Sequence, residues 1–353
     1  MTPPQARILA VLTVRNEGAF LIEWLAHARA CGFTDILVFS NDCTDGTDTM
    51  LDCLAAIGWL THVPNPAPHP KGPQWQALKR ADDHPLVQAA DWVLVCDIDE
   101  FVNVQVGDGT IPALLSALPD ATAIPLTWRM FGNAGIVDYT DAPVTETFTH
   151  AAPRDLAWPW RAQMFKTLFR RDGTYRKLGV HRPRAPEPTR IDAARWFDGS
   201  GRRLPPSFHT ARMFTPIGSD PYALVQLNHY PLGAMQSYLV KADRGRANRD
   251  ASAFDLGYWV ERNFSDIEDR TLLRLAPRRQ SLEAELMLDP LLSTLHRAAV
   301  DWRHRRFVSL MQHEAWRTLF GCLRMTPPSR ALTPDEAQTV WRYGQLPKTT
   351  TEY

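Results

Sequence analysis

The chain has 353 residues and a mass of 40.0 kDa, long for one compact domain and short for three. Its 44% hydrophobic and 22% charged residues are ordinary for a globular protein, while zero formal charge and a pI of about 7.2 exclude recruitment of nucleic acid or acidic membrane by a global field. The five cysteines, Cys31, Cys43, Cys53, Cys96 and Cys322, show no Cys-x-x-Cys spacing, which argues against a zinc site or disulfide scaffold and fits a reducing compartment. With no apolar run near the roughly 20 residues of a membrane span and no basic-then-apolar N-terminus, a cytoplasmic location is expected.

Residues 7–14 read as a short buried strand followed by Arg15, Asn16, Glu17 and Gly18. Phe20, Leu21, Trp24, Leu25 and Ala28 recur at helical spacing, and Gly32 is placed to end that helix. A second strand, 36–39, runs into a turn-rich segment, 40–47, that opens a helix reaching Gly58; 59–63 is a weaker third strand. A proline-rich loop, 64–73, leads to a helix from Gln74. Next comes the apolar run 92–96, which ends abruptly in Asp97, Ile98, Asp99 and Glu100. A helix over 110–118, a strand over 122–127 and a loop over 128–135 follow. Strands alternating with helices in this way predict right-handed βαβ units and an α/β, mostly parallel sheet flanked by helices.

Past Tyr139 the rhythm weakens. Segments 163–170 and 175–180 are expected to form a hairpin around Asp172-Gly173 that ends in His181, and 182–206, rich in Pro and Arg, is expected to be a mobile loop. Residues 223–228 make one more strand, ending in His229-Tyr230. Helices are expected over 233–249 and, in pieces, over 256–323, before a loose polar tail, 327–353.

Three predicted strand ends carry polar clusters: Asn16-Glu17, Asn41 to Asp45, and Asp97 to Glu100. In a parallel sheet those ends share one edge, where ligands bind. If the strand continues through Phe101, alternation places Asp97 and Asp99 on one face, a pair of hard oxygens suited to Mg²⁺ or Mn²⁺ with the oxygens of a bound phosphate. An isolated Asp-x-Asp is more often a polar strand end; the three clusters together favour a site. The dinucleotide fingerprint and the phosphate loop are both missing after the first strand, which argues against a dehydrogenase or P-loop NTPase, and Phe101 stands where a haloacid-dehalogenase-type phosphatase carries Thr or Val.

The ordered set Asn16-Glu17, Glu23-Trp24, Thr44-Asp45-Gly46-Thr47, Asp97-Ile98-Asp99-Glu100-Phe101, Phe131-Gly132, His229-Tyr230, Lys241 and Arg244-Gly245 resembles glycosyltransferase family 2 and its GT-A relatives. The likeness is greatest to the branch related to family 92, and it spans roughly residues 7–248.

The resemblance implies a GT-A, Rossmann-like catalytic domain with a helical C-terminal region. It implies a transferase that moves a sugar from a nucleotide-diphosphate donor to a saccharide, lipid-linked or other hydroxyl acceptor, in cell-surface polysaccharide or glycoconjugate synthesis. Mn²⁺ or Mg²⁺ would bridge the diphosphate. Asp99 is the first choice for coordinating it, Asp97 is assigned to ribose or outer metal contact, and Glu100 supports them. His229, with His181 in reserve, would complete the metal shell. Arg15, Asn16, Glu17, Asn41, Asp45, Lys71, Gln74, Asp97, Lys241 and Arg244 are the donor-binding candidates. Asn41 departs from the family-2 pattern, in which Asp is common, and that leaves the base preference open. Asp138, Asp141 and Glu146 are equal candidates for the base that takes the acceptor's proton. The expected organisation is 1–139 for the nucleotide-sugar half, 140–248 for the acceptor side and 249–353 for the helical region. The arginines of that region, among them Arg270, Arg274, Arg278, Arg279, Arg303 and Arg306, read as a solvated face in preference to a membrane-binding one. Two other classes compete: a sugar-phosphate nucleotidyltransferase, and a non-catalytic sugar- or nucleotide-binding module.

Overall fold

The computed structural model describes residues 6–245 and 255–345. In chain order these fold into β1 (Ile8–Val14), α1 (Leu21–Cys31), β2 (Asp35–Ser40), α2 (Thr47–Ala56), β3 (Thr61–Pro64), α3 (Pro73–Asp82), α4 (Pro85–Ala89), β4 (Trp92–Val95), β5 (Glu100–Val104), α5 (Ile111–Ala117) and β6 (Ala123–Met130). There follow α6 (Val144–Thr147), β7 (His150–Ala151), β8 (Phe165–Arg170), β9 (Tyr175–Lys177), β10 (Arg184–Pro186), α7 (Ser207–Thr210), β11 (Val225–His229) and α8 (Met235–Arg244). After residue 254 come α9 (Leu256–Val260), β12 (Ile267–Glu268), α10 (Ala276–Met287), α11 (Pro290–Leu310), α12 (Glu314–Met325) and α13 (Pro334–Gln345).

An eight-stranded sheet ordered β3-β2-β1-β4-β8-β6-β11-β5 forms the centre. β1 to β4 pair in parallel, β8 is wedged antiparallel between β4 and β6, β6 and β11 are parallel, and β5 runs antiparallel to β11. Six strands therefore share one direction. The α/β, mostly parallel sheet flanked by helices is observed, with C-terminal helices packed on α1, α2 and α8. One apolar cluster runs from Ile8 through Leu25, Leu94 and Leu126 to Leu292 and Val300, so α10 and α11 belong to the same core as α1 and α2. A second, on the other face, joins Leu9, Val93, Phe165 and Trp196.

Several expectations need correction. The run from Trp92 does not continue as a strand to Phe101; β4 ends at Val95, residues 98 and 99 turn, and a new strand starts at Glu100. The expected loop 128–135 begins inside β6, because Trp128 and Met130 are core residues. Segments 163–170 and 175–180 do not form a hairpin: β8 pairs with β4 and β6, whereas β9 pairs with β10. The expected mobile loop 182–206 holds β10 and the fully buried Trp196, whose indole N–H donates to Tyr175 Oη at 2.9 Å. Within the expected tail, 334–345 is a helix, while residues 346–353 lie outside the described residues, as do the end of the expected helix at 249 and the boundary at 248.

The C-terminal arginines make no uniform solvated stripe. Arg279 and Arg303 are buried, Arg274 donates to the carbonyls of Gln105 and Val106, Arg278 to that of Ala30, and Arg306 pairs with Asp243 at 2.7 Å. Among the described residues no helix is long and apolar enough to cross a membrane.

Candidate functional site

The parallel order of β1, β2 and β4 carries their carboxyl ends to one sheet edge, and a cleft of about 350 Å³ opens there. Arg15 and Glu17 enter it after β1, Gln74 from α3, and Asp97, Ile98 and Asp99 from the turn after β4. Trp128, His181 and His229 come from the far side of the sheet, Lys241 and Arg244 from α8, Tyr258 from α9, and Arg161 and Arg262 from connections.

Asp97 and Asp99 both line the cleft because the chain reverses between β4 and β5, not because a strand alternates. The Glu100 N–H donates to the Asp97 carbonyl at 3.1 Å, and β5 then pairs with β11 so that His229 stands beside Glu100. A further bond, Tyr230 N–H to the Asp99 carbonyl at 2.9 Å, fixes Asp99 against His229. The motif residue Trp24 buttresses the same point from α1, its indole N–H donating to the Glu100 carbonyl at 2.9 Å.

The two aspartates have different partners. Asp97 Oδ2 accepts from the wholly buried Lys166 Nζ at 2.8 Å, and its Oδ1 from Gln74 Nε2 at 3.2 Å. Asp99 Oδ2 accepts from Lys241 Nζ at 2.6 Å and lies 3.8 Å from His229 Nε2. Burial pushes the Asp99 carboxyl up, but Lys241 and His229 outweigh it and hold the group well below the usual carboxylate range. Burial also lowers His229, against the pull of Asp99, and its Nδ1 is buried with no hydrogen-bond partner. His181, whose Nδ1–H donates to the Phe165 carbonyl at 3.1 Å, is pushed by burial down to about 4. Glu100 is raised by burial, against the pull of Lys166; its Oε1 accepts from the Trp128 indole at 2.7 Å and its Oε2 from the Asp97 N–H at 2.9 Å.

The other donor-binding candidates divide into two groups. Glu17 pairs with Arg244, which also donates to the Arg15 carbonyl, and burial raises the Glu17 carboxyl. Asn16, Asn41 and Asp45 are spent on loop architecture. Asn16, at φ +53°, accepts from the Thr44 N–H at 2.7 Å; Asn41 donates to the Val14 carbonyl at 2.9 Å and accepts from Asn65 Nδ2 at 2.6 Å; Asp45 accepts from the Gly18 and Thr47 N–H groups at 3.0 and 2.9 Å. None of these three lines the cleft, and Lys71 is exposed outside it.

Of the three base candidates, Asp138 lines an apolar recess that shares Glu17, Ile98, Asp99 and Lys241 with the cleft. Asp141 is held by His296 at 3.1 Å and Glu146 by the buried Arg279, and neither lines the cleft or the recess. The residues that sequence reasoning missed are Lys166, Trp128, Arg161, Tyr258 and Arg262. Lys166 left one signal, a lysine beside Phe165, Leu168 and Phe169 in a strand, since a buried ammonium requires an acidic partner.

Among the described residues no three His, Cys, Asp or Glu side chains gather into a closed metal cage. An open site is what the donors fit. Asp99 Oδ2 and His229 Nε2 face each other across 3.8 Å, and whichever ring nitrogen of the neutral imidazole carries the proton, one lone pair there lacks a donor. With the proton on Nδ1, a hard cation that takes the Asp99 carboxylate, the His229 Nε2 lone pair and the oxygens of a ligand gives that lone pair a partner, while the buried Nδ1–H keeps none among the described residues.

No curated protein matches the chain in sequence. Solved structures give remote likenesses. One is to S. aureus TarS 1–349 in complex with UDP (14% identity, 87% of this chain and 91% of that one, TM-score 0.33). Another is to glucosyl-3-phosphoglycerate synthase from Mycobacterium tuberculosis with Mn²⁺, UDP and glucosyl-3-phosphoglycerate (17%, 48% and 58%, TM-score 0.27). A third is to a glucose-1-phosphate thymidylyltransferase from Bacillus anthracis (14%, 46% and 71%, TM-score 0.25). The chain spans 54% of a longer TarS chain. The model of glycosyltransferase family 92 matches residues 11–193, just over half of the sequence, and the chain belongs to that family.

Proposed function

We propose that this chain transfers a sugar from a nucleotide-diphosphate sugar to a hydroxyl of a saccharide or lipid-linked acceptor, with a divalent cation, Mn²⁺ or Mg²⁺, held by Asp99 and His229. The observation that carries this reading is a carboxylate kept ionised at the wall of a cleft whose other walls are Arg15, Arg161, Lys241, Arg244 and Arg262. Such a cleft suits a ligand bearing several negative charges. Breaking the bond between sugar and diphosphate builds negative charge on the leaving group, and a bound cation offsets that charge.

The chain's own groups supply the rest. Lys241 contributes a point charge and Arg244 a planar fork to diphosphate oxygens, and both come from one face of α8. Asp97, with Gln74 beside it, accepts donor hydroxyls. Trp128, whose ring lies 4.5 Å from that of His229, shapes the floor under the sugar. Asp138 takes the proton of the acceptor hydroxyl, since it alone of the three candidates opens onto the recess beside Asp99.

The test is release of nucleoside diphosphate from a panel of nucleotide sugars, with and without Mn²⁺. Asp99→Ala is expected to lower turnover at least about a hundredfold while leaving the melting temperature within a few degrees. Full activity in that variant would refute the reading.

A further inference from the structure

Lys166 sits on β8, the antiparallel strand wedged between β4 and β6. Continuing the register Leu94 to Leu168, residue 166 falls opposite residue 96, so its side chain reaches the turn that follows β4. There it is wholly buried, with Nζ 2.8 Å from Asp97 Oδ2 and 3.7 Å from Glu100 Oε2. Its cost of burial is offset only while those acids remain beside it. Asp97 is thus bonded through both oxygens, to Lys166 and to Gln74, before any ligand arrives.

Asp99 differs in the feature that matters for a cation. Its counter-ion Lys241 stands on the cleft wall at 13% side-chain exposure, whereas the Lys166 side chain has 0%. Exchanging Lys241 for another cation leaves an ammonium facing water and the diphosphate. Exchanging Lys166 would strand a charge inside the sheet.

Building on the reading above, we propose that Lys166 is the positioning residue that divides the work of the two aspartates: it withholds Asp97 from the cation and fixes it as a hydrogen-bond acceptor for the donor, leaving Asp99 with His229 to coordinate. The chain therefore carries its second metal-site counter-charge permanently, as a lysine built into a strand. Trp128 and Glu100 complete the brace, because Glu100 bonds the Asp97 N–H and the Trp128 indole on opposite oxygens.

Mn²⁺ binding, followed by calorimetry and by the electron paramagnetic resonance of the free ion, tests this without turnover. Asp99→Asn is expected to weaken Mn²⁺ roughly tenfold or more, and Asp97→Asn to leave it within about twofold while weakening a nucleotide sugar about tenfold. Lys166→Met frees the Asp97 carboxylate and is expected to tighten Mn²⁺ about fivefold, a gain absent in Lys166→Arg and in the Asp97→Asn/Lys166→Met double variant. An Asp97→Asn loss as large as that of Asp99→Asn overturns the proposal, as does a folded Lys166→Met with unchanged or weaker Mn²⁺ binding. Should Lys166→Met not fold, the contrast between the two aspartate variants decides alone. A wild-type protein that binds neither Mn²⁺ nor any nucleoside diphosphate refutes the functional reading and this inference together; wild-type binding with the wrong variant pattern refutes the inference only.

Discussion

The two sides of the cleft are built by different routes. On one side, β1, β2 and β4 each end in a polar turn, and their parallel pairing alone collects Arg15, Glu17, Asp97 and Asp99 at one edge. On the other, Lys166 comes from the middle of an antiparallel strand, Trp128 and His229 from strands across the sheet, Lys241 and Arg244 from a helix after the last strand, and Tyr258 and Arg262 from the helical region. The first side supplies most of the acids and the second most of the bases. Neither makes a site alone, since each aspartate finds its lysine across the divide.

The sharpest way to break this picture is to remove a base from the second side. Lys241→Met takes away the ammonium 2.6 Å from Asp99, and nucleoside diphosphate affinity, measured by calorimetry in Mn²⁺, is expected to fall about thirtyfold, or about 2 kcal/mol. Unchanged affinity would mean that α8 does not face the diphosphate.

A second probe concerns pH. His27 and His181 are both pushed by burial to about 4 from an ordinary 6.5, His27 on α1 against the Val102 carbonyl of β5 and His181 at the cleft wall. The unfolded chain therefore binds more protons between those values, so stability is full above about 6.5 and is lost as pH falls toward 4. Each histidine contributes a loss of about 2 kcal/mol between pH 7 and pH 5. Urea midpoints at the two pH values check this, and His27→Gln is expected to flatten the slope; an identical slope in that variant contradicts the assignment.

Trp128→Phe tests the brace. Losing the indole donor leaves the buried Glu100 Oε1 without that bond, and a cost of about 1–2 kcal/mol is expected in denaturant unfolding. Smallest of all is Lys71→Ala. An exposed lysine outside the cleft is expected to change nucleotide affinity by less than about twofold, against its candidacy on sequence.

The first side was also the legible one, and for a physical reason. Buried parallel strands are continuous apolar runs and their ends are abrupt, so β1, β2 and β4 and the acids after them stand out in sequence. Nothing local distinguishes an acid that lines a cleft from one that ties a loop. Asn41 and Asp45 match the pattern as well as Asp97 does, yet they bond Val14, Thr47 and Gly18. The ring of motif residues carries the same lesson. Glu23 caps the chain at Val144 and Thr145 with bonds of 2.7 and 2.9 Å, and a Cβ on Gly132 would lie 2.2 Å from the Phe264 carbonyl oxygen, so both serve packing. The second side was hard to read because its contacts are long-range: Lys166 is 69 residues from Asp97, and Lys241 is 142 from Asp99. The expected hairpin at 163–180 hid the first of these, since a strand paired only with its neighbour has no reason to meet Asp97.

Asp99 and His229 are proposed to hold a divalent cation against a nucleotide diphosphate. Thermal shift of the wild-type protein and of Asp99→Asn, with a panel of nucleoside diphosphates in Mn²⁺ and in chelator, measures it most directly. At least one diphosphate is expected to raise the wild-type melting temperature in Mn²⁺ and far less in chelator, and Asp99→Asn is expected to abolish the difference. A nucleotide shift that is the same in chelator, or that survives in Asp99→Asn, would contradict it.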